Sequence, residues 1–159
     1  MRLKQKALAI LALGCAMLCA LSQPTLAQER EWSLDAQDED AYLVFGVPES
    51  DDVGVSFWCK LGSGHVKLFF PEGAPALKPD AQEKFEIAAN GKTFSLSGRT
   101  ANNELLGTVS IETETGVQDE VITALLSADR FSTEIAGHET IYPLVDSGLD
   151  ELVNVCKVK

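Results

Sequence analysis

The chain has 159 residues, 24 of them acidic against 13 basic, for a formal net charge of −11 at pH 7. That balance argues against nucleic acid or anionic lipid as a partner of the overall surface, because both demand lysine and arginine to neutralise phosphate. It leaves cationic partners, or solubility alone, as the reading of the charge.

Residues 1–27 read as an export signal. Arg2, Lys4 and Lys6 form a positive n-region, Ala7 to Leu21 is apolar with a break at Gly14, and Thr25-Leu26-Ala27 is a small-residue cleavage motif before Gln28. The apolar run is shorter than the roughly twenty residues a spanning helix needs, and Ser22-Gln23-Pro24 closes it, so no membrane span is expected after cleavage. The expected product, residues 28–159, is a single secreted, periplasmic domain with one hydrophobic core. It keeps ten basic against twenty-four acidic residues, a net charge of about −14.

Cleavage removes Cys15 and Cys19 and leaves Cys59 and Cys156, an even pair in an oxidising compartment, so one disulfide is expected. The residues around both cysteines supply no matching metal-ligand set. Asp38-Glu39-Asp40 and Glu49 to Asp52 do not fit the spaced loop of an EF-hand and read as solvated turns.

The first strand pair assigned from the pattern begins at Val53. Val53, Val55, Phe57, Cys59 and Leu61 alternate with Gly54, Ser56, Trp58 and Lys60, and Val66, Leu68 and Phe70 continue the apolar face. A two-residue turn at Ser63-Gly64 would set Leu61 opposite Val66, Cys59 opposite Leu68 and Phe57 opposite Phe70. Residues 72–80, rich in proline, read as a loop. Asn90-Gly91 tolerates the positive φ values of a type I′ turn and pairs Ile87 with Phe94 and Phe85 with Leu96. A further strand carries Val109 and Ile111 on one side, after a turn at Asn102-Asn103. Asp119 to Ala128 fits two patterns, a helical face of Val121, Leu125 and Ala128 and a strand alternation of Val121, Thr123 and Leu125; Asp119 and Glu120 at its start favour a short helix, and Phe131 to Ile135 and Thr140 to Leu144 read as strands. The chain closes in a helix, with a capping box over Ser147 to Asp150 and with Leu149, Leu152, Val153 and Cys156 on one face.

The expected fold is α+β and mainly β: an antiparallel β-sandwich or open barrel, with a short internal helix and a C-terminal helix tied by a Cys59–Cys156 disulfide.

On the face away from Cys59, the same register sets Trp58 opposite Phe69 and Lys60 opposite Lys67, with His65 beside the turn. An aromatic pair flanked by cations in an acidic chain suits an anionic or sugar-like ligand, so these five residues form the candidate binding site. Burial of the two aromatics beneath another layer is the alternative. Gly62-Ser63-Gly64-His65 lacks the Gly-x-Ser-x-Gly elbow and reads as a turn. His138 is the only other histidine, and a two-histidine metal site would have to arise from folding alone. No catalytic residue, cofactor or metal is assigned.

Phe57-Trp58-Cys59, Gly64 and Val66 to Phe70, with a second cysteine near the C-terminus, resemble the opening strands and disulfide of small periplasmic inhibitors of c-type lysozyme. The resemblance implies a β-barrel that binds a cationic enzyme. It covers a small part of the chain, and Ser97-Gly98 is followed by Arg99-Thr100-Ala101 where that family carries a Ser-Gly-x-x-Tyr signature, so no functional residue is transferred. The functional expectation is a non-catalytic binding or envelope-associated module. The alternatives are an acidic inhibitor of a cationic hydrolase such as lysozyme and a hydrolytic enzyme using His65 or His138.

Overall fold

The computed structural model describes residues 29–71, 77–104 and 106–158. The export-signal segment and residues 72–76 of the proline-rich loop lie outside the described residues. The chain runs β1 (Glu31–Gln37), β2 (Asp40–Gly46), β3 (Val53–Lys60), β4 (His65–Phe70), β5 (Gln82–Ala89), β6 (Lys92–Asn103), β7 (Thr108–Gly116), α1 (Glu120–Leu126), β8 (Arg130–Ile135), β9 (His138–Pro143) and α2 (Leu149–Cys156). The strands form one sheet in the order β1-β2-β3-β4-β7-β6-β5-β8-β9, and each neighbouring pair is antiparallel.

That sheet is strongly curled. β3 and β8 stand five places apart, about 24 Å on a flat sheet. Yet the rings of Phe57 on β3 and Phe131 on β8 lie 6.0 Å apart. Tyr142 on β9 likewise donates its hydroxyl to Gly54 O on β3 at 3.3 Å and meets Phe45 of β2 edge-on at 6.2 Å. One sheet therefore folds over its own core as an open half-barrel. Its two edges approach at one end, where Trp32 Nε1 on β1 donates to Pro143 O on β9 at 2.7 Å.

Period-two alternation supplies the lining. Leu43, Val55, Phe57, Leu68, Phe70 and Ile87 are all fully buried on the concave side. α2 packs against β2, β3 and β4. Its Leu149, Leu152, Val153 and Cys156 face inward as the helical spacing requires. Cys156 is disulfide-bonded to Cys59 on β3, with Cα atoms 5.9 Å apart.

Several local expectations hold. The Asn90-Gly91 hairpin pairs Ile87 with Phe94 and Phe85 with Leu96, and both turn residues have positive φ. α1 forms within the stretch expected to be helical.

Others are corrected. β1 and β2 precede the first strand expected at Val53, and in β2 Ala41 and Leu43 alternate with Tyr42 and Val44 as a strand should. Trp58 lies opposite Lys67 rather than Phe69, and Phe57 opposite Leu68 rather than Phe70, a two-residue slip that keeps the strand side chains on their expected faces, whereas Leu61, expected on the buried face, falls in the turn beyond β3 and is exposed. The slip arises because α2 docks against the β3–β4 turn. Gly62 and Gly64 adopt φ of 72° and 78°, and their amides donate to Val155 O and Cys156 O at 2.9 and 2.8 Å, serving carbonyls that the helix C-terminus leaves unpaired. A tight Ser63-Gly64 turn would not present both amides. Asn102 and Asn103 stay in β6, opposite Val109 and Thr108, so the turn falls beyond them. The capping box at α2 is also replaced: Gly148 occupies the N-cap position at φ 80°, and Ser147 Oγ accepts from Leu149 N at 3.3 Å.

Candidate binding face

The convex face of β2, β3, β4 and β7 carries side chains in cross-strand rows. Pairing sets Tyr42, Trp58, Lys67 and Glu114 in one row and Val44, Ser56, Phe69 and Glu112 in the next. Residues opposite each other on adjacent strands touch when they are large, and these do. Tyr42 and Trp58 stack with ring centroids 5.8 Å apart and planes 18° from parallel. Lys67 Nζ lies 4.5 Å from the centre of the Trp58 ring, within cation–π range. Trp58 is half-buried and Tyr42 is 43 % exposed, so no second layer covers the pair among the described residues.

Of the five residues singled out from the sequence, the structure brings Trp58, Lys67 and Phe69 onto this face in adjoining rows. His65 lies at the start of β4, and Lys60 is exposed at the end of β3, opposite Asp40. The expected cationic character is largely cancelled. Lys67 Nζ sits 3.5 Å from Glu112, and His65 Nδ1 sits 3.9 Å from Glu114. Both glutamates come from β7, whose place beside β4 is a long-range pairing.

Beside the aromatic rows lies a cleft of about 590 Å³, lined by Val44, Ser56, Phe69, Pro71, Asn102 and Asn103 among others. Its lining is mostly apolar, with the amides of Asn102 and Asn103 and the carboxylates of Asp51 and Glu104 among its polar groups, a combination suited to holding a ligand that is part apolar and part hydrogen-bonding. Tyr42 and Val44 could have been found from alternation in β2. Glu112 and Glu114 also alternate visibly, but nothing local announces which strand they will face.

The β3–β4 turn is structural. Ser63 Oγ donates to His65 O at 3.1 Å and accepts from His65 N at 3.3 Å, so the hydroxyl serves the backbone rather than the imidazole. Asp119, at the start of α1, accepts from Thr115 Oγ1 at 2.6 Å and Gly116 N at 2.8 Å. The Thr115 hydroxyl first, then the Gly116 amide, hold its carboxyl below the ordinary value of 3.8, with a smaller contribution from His65. His138 is exposed at the start of β9. Asp52, in the second acidic cluster, pairs with Arg30 at 2.8 Å. Among the described residues no group of three or more His, Cys, Asp or Glu is arranged to hold a metal ion.

No protein-family model, curated protein or solved structure matches the chain, so the likeness to lysozyme inhibitors rests on the quoted residues alone. No helix among the described residues is long and apolar enough to cross a membrane.

Proposed function

We propose that the chain is an exported, non-catalytic binding module that holds a sugar-like ligand on the convex face of β2, β3, β4 and β7. The carrying observation is the stacked Tyr42–Trp58 pair, left accessible beside a largely apolar cleft that also carries amide and carboxylate side chains. Flat aromatic surface with hydrogen-bonding neighbours favours ligands that present C–H faces and hydroxyls. The pairing of Lys67 with Glu112 and of His65 with Glu114 leaves little free positive charge, which favours a neutral ligand over an anion. Export is supported by the leader-like residues 1–27 and by a disulfide, a bond that persists in oxidising compartments.

The test is a fluorescence titration. Trp32 and Trp58 are the two tryptophans of the chain, so Trp32→Phe leaves Trp58 as the sole reporter. Neutral oligosaccharides are expected to change its emission more than anionic ones of the same length. Tyr42→Ala in that background, and Trp58→Ala followed by calorimetry, should each weaken binding about tenfold, or roughly 1.4 kcal/mol. Absence of binding at millimolar saccharide, or affinity unchanged by Trp58→Ala, would reject the reading.

A further inference from the structure

A second surface lies at the opposite end of the sheet. β9 is an edge strand, paired on one side only among the described residues. Its hydrogen-bonding phase follows from its turn. Ile135 and His138 flank a two-residue Ala136-Gly137 turn with φ of 49° and 80°, so they exchange backbone hydrogen bonds, and so do Thr133 with Thr140 and Phe131 with Tyr142. The N–H and C=O groups of Glu139 and Ile141 therefore point away from β8, toward the open edge. Pro143 shares that phase, and its carbonyl is the one that accepts from Trp32.

The side chains above this edge carry an unusual charge pattern. Glu139 on β9 lies opposite Glu134 on β8, which lies opposite Glu86 on β5, and all three are exposed. None takes an ion pair or side-chain hydrogen bond from another described residue. Glu139 and Pro143 by themselves are the kind of residue that guards an edge from unwanted pairing. Glu134 and Glu86 are not explained that way, because they lie inside the sheet, where like charges directly opposite oppose pairing and guard nothing. Next along β9, Ile141 is 60 % exposed and lines a cleft of about 520 Å³ with Ala88 and Ser132. Three cations lie nearby: Lys84 stands two residues from Glu86 on the same face of β5, and Arg130, four residues from Glu134 on β8, lines the cleft with Lys92, yet none of them forms an ion pair with the three glutamates.

We propose that the β9 edge docks an extended, cation-bearing segment of a partner polypeptide as an added strand. The segment's backbone bonds to the free groups of Glu139 and Ile141. A lysine or arginine beside Glu139 reaches inward over the carboxylates of Glu134 and Glu86, which stand at strand spacings of about 4.8 Å, and the next outward side chain, an apolar one, sits against Ile141. The edge supplies hydrogen bonds, and the glutamate row selects the partner's charge. This surface is separate from the aromatic face, so the two readings stand or fall independently.

The test uses isotope-labelled protein titrated with a peptide repeating lysine-threonine-valine-threonine, which presents a lysine and an apolar side chain in turn on one face, and with a matched peptide carrying glutamate in place of lysine. The lysine peptide alone is expected to shift the amide signals of Glu139 and Ile141 and to slow their hydrogen exchange, with affinity falling at least tenfold from low to high salt. Glu86→Gln with Glu134→Gln leaves the edge strand intact and should weaken binding about tenfold. Ile141→Pro removes an outward N–H without touching the β8 ladder and should abolish binding; the glutamine pair carries the test if that variant does not fold. Trp58→Ala should bind the peptide as the native chain does. Equal binding of both peptides, shifts confined to other surfaces, affinity unchanged in the glutamine pair, or pairing of β9 with a second copy in place of the peptide would each overturn the proposal.

Discussion

Breaking the Cys59–Cys156 bridge should release α2 before the sheet unfolds. The bridge joins residues 97 apart in sequence. On the chain-entropy model, closing a loop of that length removes about 4 to 5 kcal/mol of freedom from the unfolded chain. α2 is short, and its Leu149, Leu152 and Val153 are buried. Those side chains contribute about 1.5 to 3 kcal/mol each, no more than the roughly 1 to 2 kcal/mol per residue needed to order eight residues. Without the bridge the helix is held near balance by this burial and by the amides of Gly62 and Gly64 at its C-terminus. Cys59→Ala with Cys156→Ala should lower global stability in guanidinium by about 4 kcal/mol and leave residues 149–156 exchanging amide protons well ahead of β3 and β4. A loss below about 1 kcal/mol, or α2 amides protected as long as those of β3, would refute the reasoning.

Two glycines test different constraints. Gly98 has no room, since an added Cβ would meet Ile111 Cγ1 at 2.7 Å and Glu112 O at 2.8 Å, so Gly98→Ala should destabilise by about 1 to 3 kcal/mol in urea melts. Gly91 has open space but a φ of 73°, so Gly91→Ala should lose about 1 to 2 kcal/mol and Gly91→Asn, which tolerates that backbone, markedly less. Asp119 has its carboxyl lowered by Thr115 and Gly116, so its stabilisation is present above the ordinary value of 3.8 and fades as pH falls through the lower folded value. A carbon-detected titration should place its midpoint below 3.8, Thr115→Val should move it back up, and a midpoint at or above the ordinary value would contradict the geometry. Trp32→Phe removes the side-chain bond to Pro143 across the seam and should lower stability by about 0.5 to 1 kcal/mol, read as a shifted denaturation midpoint.

What could be read from the chain was local. Alternation put Phe57, Cys59, Val66, Leu68 and Phe70 on the buried side, Asn90-Gly91 fixed a hairpin and its register, and helical spacing turned Cys156 inward toward its partner. These signals lie within a few residues of each other, where φ preference and periodicity act directly. The β3–β4 register failed because a helix almost a hundred residues later sets the turn. The binding face was half legible: Trp58, Lys67 and Phe69 share a face as side-chain parity required, but the row that joins Trp58 to Lys67 was not the expected one, Tyr42 stacks on one flank and the glutamates of β7 neutralise the other. The row of Glu86, Glu134 and Glu139 exists only after β5, β8 and β9 are laid side by side. Sequence determined which way each side chain points; the order of strands in the sheet, a product of long-range pairing and burial, decided which of them meet.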